Sequence, residues 1–293
     1  MRVAGFLFIR NAIKYDYPVL QAIQSILPLC DDMYVSVGNS EDDTAGLISS
    51  LQSPKMHISH SVWDDSLKEG GRVLAVETDK VFDQIPDGVD WCIYIQADEM
   101  IHENDYALIR AEMEKYKADQ RVEGFLFKYR HFYGSYDYVG DSRRWYSHEI
   151  RIIRNDKQIR SYRDAQGFRK NGRKLRVKAL EATIYHYGWV RHPNSQLNKH
   201  LDFEKLYGGD KWARTVQLTK KSDFDYSEID SLQKFTGTHP QVMQDLISRK
   251  DWHFSIDLSR KNFNLKGWLL YWVEKYTGKR LFDYRNYEII RGI

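Results

Sequence analysis

The stretch DWCIYIQADEM, from Asp90 to Met100, places an apolar run directly before two adjacent carboxylates, Asp98 and Glu99. Five apolar residues in a row, WCIYI, are typical of a strand buried on both faces of a sheet. At its carboxyl end such a strand can deliver an acid to a metal ion and a phosphate. The alternative is that Asp98 is a loop acid or a helix N-cap, and the spacing alone does not exclude this.

Upstream of this run, strands and helices alternate along the chain. The apolar segments VAGFLFI, MYVSV and KMHIS are typical of strands, and stretches with helical apolar spacing separate them. This order predicts an α/β fold, with a Rossmann-like, mainly parallel sheet flanked by helices. Ligands bind such sheets beyond the carboxyl ends of the strands. We therefore expect one shared site where three polar loops meet: Arg10–Tyr15, Gly38–Thr44 and Gln96–Glu99.

The composition is that of a soluble globular protein and excludes a mainly disordered chain. Of 293 residues, 42% are hydrophobic and 29% are charged, and the net charge is +3. Two cysteines, Cys30 and Cys92, provide neither a disulfide framework nor a zinc knuckle, which favours a reducing, cytoplasmic setting. The apolar run at the N-terminus is too short for a signal peptide or a membrane span.

Basic residues cluster in FRKNGRKLRVK, where six of them lie between Arg169 and Lys178. Such a cluster can attract phosphates or an anionic membrane, or it can form a solvated hairpin. No nucleic-acid-binding motif accompanies it, so we predict that nucleic acid is not a partner.

The second half of the chain is predicted to complete the sheet and then to change character. A helix from Glu103 to about Ala118 precedes three strands, EGFLFKYRHFYG, HEIRIIR and EATIYHYGWV. Beyond about Val216 the chain is polar, Lys-rich and helical. We predict a sheet domain over residues 1–215 and a C-terminal helical extension over residues 216–293. The apolar segment WLLYWVEKY (Trp268–Tyr276) either packs on the first domain, which its short length favours, or rests on a membrane surface.

The segment FIRNAIKYDYPVLQAIQSILPLCDDMYVSVGNSEDDT, followed later by WCIYIQADE, resembles the opening of family 2 glycosyltransferases of the GT-A fold. In that family a G-S-x-D-x-T turn follows the second strand, here Asn39–Thr44, and a W-x-x-x-x-D-A-D-E motif comes later. The resemblance extends from Met1 to about Val190. It implies a GT-A fold and a bacterial, nucleotide-sugar-dependent enzyme of polysaccharide biosynthesis.

The resemblance also assigns roles to residues of a donor site. It places Ile9, Arg10 and Asn11 in the nucleotide pocket, Asn39 and Asp42 beside the base or ribose, Gly70, Gly71 and Arg72 in a loop that touches nucleotide or phosphate, and Asp98 on a metal ion. Two positions depart from the family pattern. Gln96 replaces the first Asp of the acidic motif, and Val37–Gly38 replaces an acid after the second strand. Because an amide is a poor ligand for a hard cation, we expect weaker metal binding or a different nucleotide.

Three further residues are candidates for the chemistry. His186 lies at the end of a strand, where some relatives carry a metal-ligating histidine, so Asp98 and His186 would hold a divalent cation, Mn²⁺ or Mg²⁺. A structural role for a lone histidine is the alternative. An inverting transferase needs a general base for the acceptor hydroxyl. Asp164 is the first choice and Glu149 the rival, and either would also suit an ion pair with the nearby arginines.

Together these features predict a glycosyltransferase that moves a sugar, with inversion, from a nucleotide-diphosphate sugar to a glycan or lipid-linked acceptor. Tyr136 and Trp145 would stack on the acceptor sugar, unless this Tyr-rich loop packs on the core. The alternative is a catalytically inactive module of the same fold that binds nucleotide or sugar, and Gln96 favours it. We expect a cytoplasmic protein, at the inner face of the membrane if the C-terminal segment makes peripheral membrane contact.

Overall fold

One sheet of 13 strands forms the centre of the structure, a computed structural model that describes residues 1–67, 69–206 and 223–291. The strands are β1 (Val3–Ile9), β2 (Asp32–Gly38), β3 (Met56–Ser61), β4 (Trp91–Tyr94), β5 (Glu99–Ile101), β6 (Gly124–Tyr133), β7 (Ser135–Gly140), β8 (His148–Arg154), β9 (Ile159–Tyr162), β10 (Gly167–Lys170), β11 (Arg173–Trp189), β12 (Leu232–Lys234) and β13 (Tyr287–Ile289).

Helices cover both faces of this sheet. Those in the described residues are α1 (Val19–Ile26), α2 (Thr44–Ser49), α3 (Arg72–Phe82), α4 (Tyr106–Lys115), α5 (Pro193–Leu206), α6 (Gln244–Ser248) and α7 (Leu265–Thr277). Apolar residues of α1 pack into one core cluster and those of α3 into a second. Two glycines with left-handed backbones, Gly70 (φ 60°) and Gly71 (φ 70°), turn the chain into α3.

The strand order along the main path is β3-β2-β1-β4-β8-β6-β11-β10-β9. The pairs β3–β2, β2–β1 and β1–β4 are parallel. Beyond β4 the sheet is mixed, because β8 runs antiparallel to both β4 and β6 while β11 runs parallel to β6. The predicted α/β fold with a parallel, helix-flanked half is confirmed, and the helix and strands predicted between Glu103 and Val190 are present.

The central strands are apolar on both faces because each face is covered. Leu7 and Ile93 belong to the core cluster on the α1 side, whereas Phe6 and Cys92 belong to the cluster on the α3 side. Successive side chains of a strand point to opposite faces, so an unbroken apolar run buries both. All four side chains are fully buried. The prediction that the WCIYI run is buried on both faces of a sheet is confirmed.

The C-terminal part joins the sheet. The predicted boundary between residues 215 and 216 lies outside the described residues. Within residues 223–291, α6 and α7 accompany two short strands, β12 paired with β7 and β13 paired with β11. The described part of the C-terminal extension therefore contains strands as well as helices. In the described part of the chain, no helix has the length and apolarity required to cross a membrane.

Candidate functional site

A cavity of about 680 Å³ opens beyond the carboxyl ends of β1 and β4. Residues predicted from the sequence line much of it, namely Ile9, Arg10, Asn11, Gln96, Asp98, Asp164 and His186. Glu41, from the loop after β2, also lines it. The three polar loops thus meet at one edge of the sheet, as the strand order predicts.

Asn11 holds the loop after β1 against the loop after β2. Its backbone is left-handed (φ 56°), which is uncommon for a residue other than glycine, and its Oδ1 accepts a hydrogen bond from the backbone N–H of Glu41 at 2.7 Å. Next to it, the Arg10 guanidinium donates to Asp65 at 2.8 Å and lies 5.5 Å from the centre of the Trp63 ring. This end of the cavity therefore combines an aromatic ring with a cation.

Asp98 shares one carboxylate oxygen between two cations, the buried Arg191 and the partly buried Lys199. Its Oδ2 accepts from Lys199 Nζ at 3.1 Å and from Arg191 Nη2 at 3.2 Å. Although burial raises the pKa of Asp98, Lys199 and Arg191 lower it well below its usual value. Burial and the neighbouring Arg191 lower the pKa of Lys199 to about 7. With Lys199 protonated, the three side chains carry a net charge of +1, which favours an anionic ligand beside them.

The hydrogen bonds around His186 determine which of its nitrogens carries the proton. His131 Nε2 lies 2.8 Å from the Tyr146 carbonyl oxygen and must donate to it. Burial lowers the pKa of His131 well below its usual value, so the ring is neutral and its Nδ1 accepts. The His186 Nδ1, 2.9 Å away, therefore donates. Burial also lowers the pKa of His186, so this ring is neutral and its Nε2 carries no proton. His186 Nε2 lies 3.7 Å from Asp98 Oδ1.

The predicted metal ligands thus lie together with suitable donor atoms. Asp98 Oδ1 and His186 Nε2 are both acceptors, and a carboxylate with an imidazole is an adequate pair for Mn²⁺ or Mg²⁺. Among the described residues, no three His, Cys, Asp or Glu side chains form a metal-binding group. A cation held here would therefore take its remaining ligands from substrate and water. Gln96 lines the same cavity, and its Nε2 donates to the Ala165 carbonyl at 3.4 Å.

Asp164 lies on a strained loop between two cavities. Its neighbours Arg163 (φ 57°) and Ala165 (φ 62°) both have left-handed backbones, a conformation that costs free energy in residues other than glycine and is concentrated at functional sites. Asp164 lines the first cavity and also a second one of about 960 Å³, which Gly70 and Arg72 border. Asp164 is therefore accessible from the site that contains Asp98.

Several predicted residues lie outside the lining of the first cavity. Asn39 and Asp42 instead connect neighbouring loops through hydrogen bonds. Asn39 Oδ1 accepts from the Trp63 backbone N–H at 3.1 Å, and Asp42 Oδ2 accepts from the Lys14 backbone N–H at 2.7 Å. Arg72 borders only the second of these cavities, and Gly71 is the residue that precedes α3.

The rival base and the predicted aromatic platform are buried. Glu149 is 7% exposed and borders neither cavity. Tyr136 and Trp145 are 7% and 8% exposed, so the prediction that they stack on an acceptor sugar is wrong. They pack against other aromatic rings instead. Tyr146, next in the chain, does line the cavity.

Arg191 and Lys199 also belong to the site, although no sequence motif points to them. Arg191 follows β11, and Lys199 lies on α5, which also brings Gln196, His200 and Asp202 to the cavity. Polar side chains three and four residues apart share a helix face. The polar face of α5 can be recognised in the sequence as a candidate part of a site. No local pattern of residues, however, connects it with Asp98.

We predict that Glu149→Gln changes stability in a pH-dependent way. Burial, opposed by Arg151, raises the pKa of Glu149 to about 8 from an ordinary value of 4.5. Between these two pKa values the folded state keeps a proton that the unfolded state loses. The stability that the Glu149 carboxyl contributes is therefore complete below pH 4.5 and is lost as the pH rises through 8. At pH 9 the glutamine variant should be more stable than the parent by roughly 2–4 kcal/mol, with little difference at pH 4. Urea unfolding at both pH values measures this.

Glu123→Gln is the control with the opposite sign. Although burial raises the pKa of Glu123, Arg173 and Arg176 lower it to about 2, so its stabilising contribution is present at neutral pH and is lost as the pH falls. This variant should be less stable than the parent at pH 7, and the difference should shrink below pH 4.5 and disappear as the pH falls through about 2. The same direction of pH dependence in both variants would contradict the assignment for Glu149.

Comparison with known proteins finds no matching family model and no matching curated protein. Among solved structures, S. aureus TarS is similar with a TM-score of 0.37 and 14% identity over 71% of this chain and 39% of that chain. For residues 1–349 of TarS in complex with UDP, the TM-score is 0.38 and the identity is 12%, over 71% of this chain and 64% of that chain. For glucosyl-3-phosphoglycerate synthase from Mycobacterium tuberculosis in complex with Mg²⁺ and UDP, the TM-score is 0.30 and the identity is 16%, over 44% of this chain and 43% of that chain. The chain spans less than two thirds of the length of each of these three chains.

Proposed function

We propose that this protein is a glycosyltransferase that moves a sugar from a nucleotide-diphosphate sugar to an acceptor hydroxyl on a glycan or a lipid-linked glycan. The observation that carries the proposal is the cavity at the carboxyl edge of the parallel strands, where Asp98 lies beside two cations, Arg191 and Lys199, and beside His186. Its position is that of ligand sites in open α/β sheets. The resemblance to family 2 glycosyltransferases of the GT-A fold supports the same class.

The donor would lie along the cavity with its base at the Arg10 and Trp63 end. Aromatic rings and guanidinium groups suit a nucleobase and a ribose. The diphosphate would lie beside Lys199 and Asp98, where the net positive charge of the trio with Arg191 attracts it. The sugar would then be directed towards the part of the cavity that Tyr146 lines.

Asp98 and His186 are the residues that would hold Mn²⁺ or Mg²⁺. A bound divalent cation would supply neutralisation of the diphosphate as it leaves. Independently of the metal, Lys199 places a cationic group in the same cavity, 3.1 Å from Asp98. A preorganised cation in a water-poor site stabilises developing negative charge more strongly than one in water.

Asp164 is our candidate for the general base. It would accept the proton of the acceptor hydroxyl while that oxygen attacks the anomeric carbon and the bond to the diphosphate breaks, the electron pair leaving with the nucleotide. A single displacement of this kind inverts the anomeric configuration. Glu149 is the weaker candidate, since burial raises its pKa to about 8 and it borders neither cavity.

A panel of UDP- and GDP-sugars with Mn²⁺ tests the proposal by measuring free nucleotide. We expect slow hydrolysis of one donor, accelerated by a suitable acceptor. Asp164→Asn should lower the acceptor-dependent rate by about 100-fold or more while donor binding persists. Asp87→Asn, which changes an exposed carboxylate, is the matched control and should keep the rate.

A second candidate is an inactive module of the same fold that binds nucleotide or sugar. Gln96 in place of an acid and the engagement of Asp98 Oδ2 by Lys199 and Arg191 favour it. Calorimetry that finds donor binding, together with no nucleotide release for any donor when acceptors are supplied, would establish this module and exclude the transferase.

A further inference from the structure

An apolar stripe on α7 faces solvent. Leu265, Leu269, Trp272 and Tyr276 follow one another at intervals of four, three and four residues, so they lie on one face of the helix. Their exposed fractions are 90%, 66%, 44% and 82%. A surface helix of a soluble protein normally turns such a stripe towards the core. Here the stripe points outwards.

The opposite side of α7 is anchored to the rest of the protein. Tyr271 is buried, and its hydroxyl donates to Asp141 at 3.0 Å. Glu274 accepts from Arg143 at 2.9 Å. The two contacts fix the rotation of the helix about its axis, so the exposure of the stripe does not result from a loosely placed helix.

The residues that follow α7 include further exposed apolar side chains. Leu281, Phe282 and Tyr284 are 42%, 90% and 59% exposed. Phe282 also has a left-handed backbone (φ 56°), which is rare for a bulky residue and costs free energy. Large exposed apolar side chains on a protein surface are typical of sites that bind a partner or a membrane.

Basic residues accompany the apolar stripe. Residues 260–291 contain eight Lys or Arg and three Asp or Glu, a net charge of +5 in a chain whose total is +3. Lys266, Lys275 and Lys279 are exposed on α7 or directly after it. Lys266 and Lys275 lie on opposite flanks of the stripe, because they are one residue and ten residues from Leu265 on the helix. Lys275 also pairs with Asp141 at 3.2 Å, so the positive charge beside the stripe comes chiefly from Lys266 and Lys279.

We propose that α7 and residues 278–285 dock the protein onto an anionic lipid surface. Trp and Tyr suit the boundary between headgroups and acyl chains, and leucine and phenylalanine side chains suit insertion beyond it. Flanking lysines add attraction to anionic headgroups. A second copy of this chain would bring two surfaces of the same charge together, which is why we favour lipid over self-association.

Docking would place the membrane close to the site described above. Arg280, directly after α7, donates to the backbone carbonyls of Arg143 and Trp145, and Tyr146 follows in the chain and lines the cavity. A surface-bound helix would therefore be coupled through this segment to the end of the cavity where we place the donor sugar. This consequence rests on the proposed function, whereas the docking surface itself does not.

Sedimentation of the full chain with vesicles tests the docking surface without any activity measurement. We expect it to bind vesicles of phosphatidylcholine and phosphatidylglycerol in equal parts and to bind pure phosphatidylcholine more weakly. Leu269→Glu should reduce the partition coefficient at least tenfold, because it places a charge in the middle of the stripe. Leu108→Glu, at an exposed leucine of α4, adds the same charge elsewhere and should bind as the parent does.

Lys266→Gln combined with Lys279→Gln should remove most of the preference for phosphatidylglycerol and leave weak binding to both vesicles. Thermal unfolding of each variant checks that the fold is kept. Failure of the parent to bind anionic vesicles, or equal binding by Leu269→Glu, would overturn the proposal. A dimer in vesicle-free solution that Leu269→Glu dissociates would also overturn it and assign the surface to a second copy.

Discussion

Lys199→Met is expected to slow donor cleavage by about 100-fold or more, the usual cost of losing one preorganised group that stabilises developing negative charge. Lys199 lines the cavity, and its Nζ lies 3.1 Å from Asp98 Oδ2, where we place the diphosphate. Methionine keeps much of the side-chain volume and removes the charge. Asp98 retains Arg191 as a partner, so the fold should persist. The measurement is the rate of nucleotide release at saturating donor.

Lys261→Met is the matched control for this prediction. Lys261 pairs with a buried acid, Asp141, at 2.7 Å but lies outside the cavity lining. Both variants thus lose a partly buried cation, and only one loses it from the site. If Lys199→Met kept the rate within threefold of the parent while both variants stayed folded, Lys199 would have no role in stabilising the leaving group.

Glu99→Ala is expected to lower the free energy of unfolding by about 3–5 kcal/mol, because it leaves a buried guanidinium without its carboxylate. Glu99 is 0% and Arg151 1% exposed, and the pair is bidentate, with nitrogen–oxygen distances of 2.7 and 2.8 Å. Glu99 also accepts from the Tyr129 hydroxyl at 2.6 Å. Urea unfolding followed by circular dichroism measures the loss.

Glu181→Ala provides the comparison at an exposed ion pair. Glu181 pairs with Lys128 on the surface and is 79% exposed, so its removal should change the free energy of unfolding by less than about 0.5 kcal/mol. The double variant Glu99→Ala/Arg151→Met should recover part of the stability lost in Glu99→Ala, because no buried charge remains unpaired. A loss below about 1 kcal/mol for Glu99→Ala would contradict the assigned cost of the buried pair.

The two acids that end the DWCIYIQADEM stretch therefore have separate tasks. Asp98 lines the cavity, whereas Glu99 is buried against Arg151. Asp98 lies in the turn between β4 and β5, whereas Glu99 begins β5, and the sequence alone does not separate the roles of the two acids. It does not indicate which one reaches the site. The partners that decide this, Arg151 for one acid and Arg191 for the other, come from later strands and loops.

The sequence by itself determined the α/β class, the strands from Val3 to Tyr94 and the meeting of the loops that contain Arg10 and Gln96. These follow from local apolar periodicity and from the rule that parallel strands present their carboxyl ends on one edge. Only the tertiary structure brought Arg191 and Lys199 to Asp98 and turned the α7 stripe towards solvent. Arg191 and Lys199 are 93 and 101 residues from Asp98 in the chain. Contacts over such separations depend on how whole elements pack, which no local pattern of residues encodes.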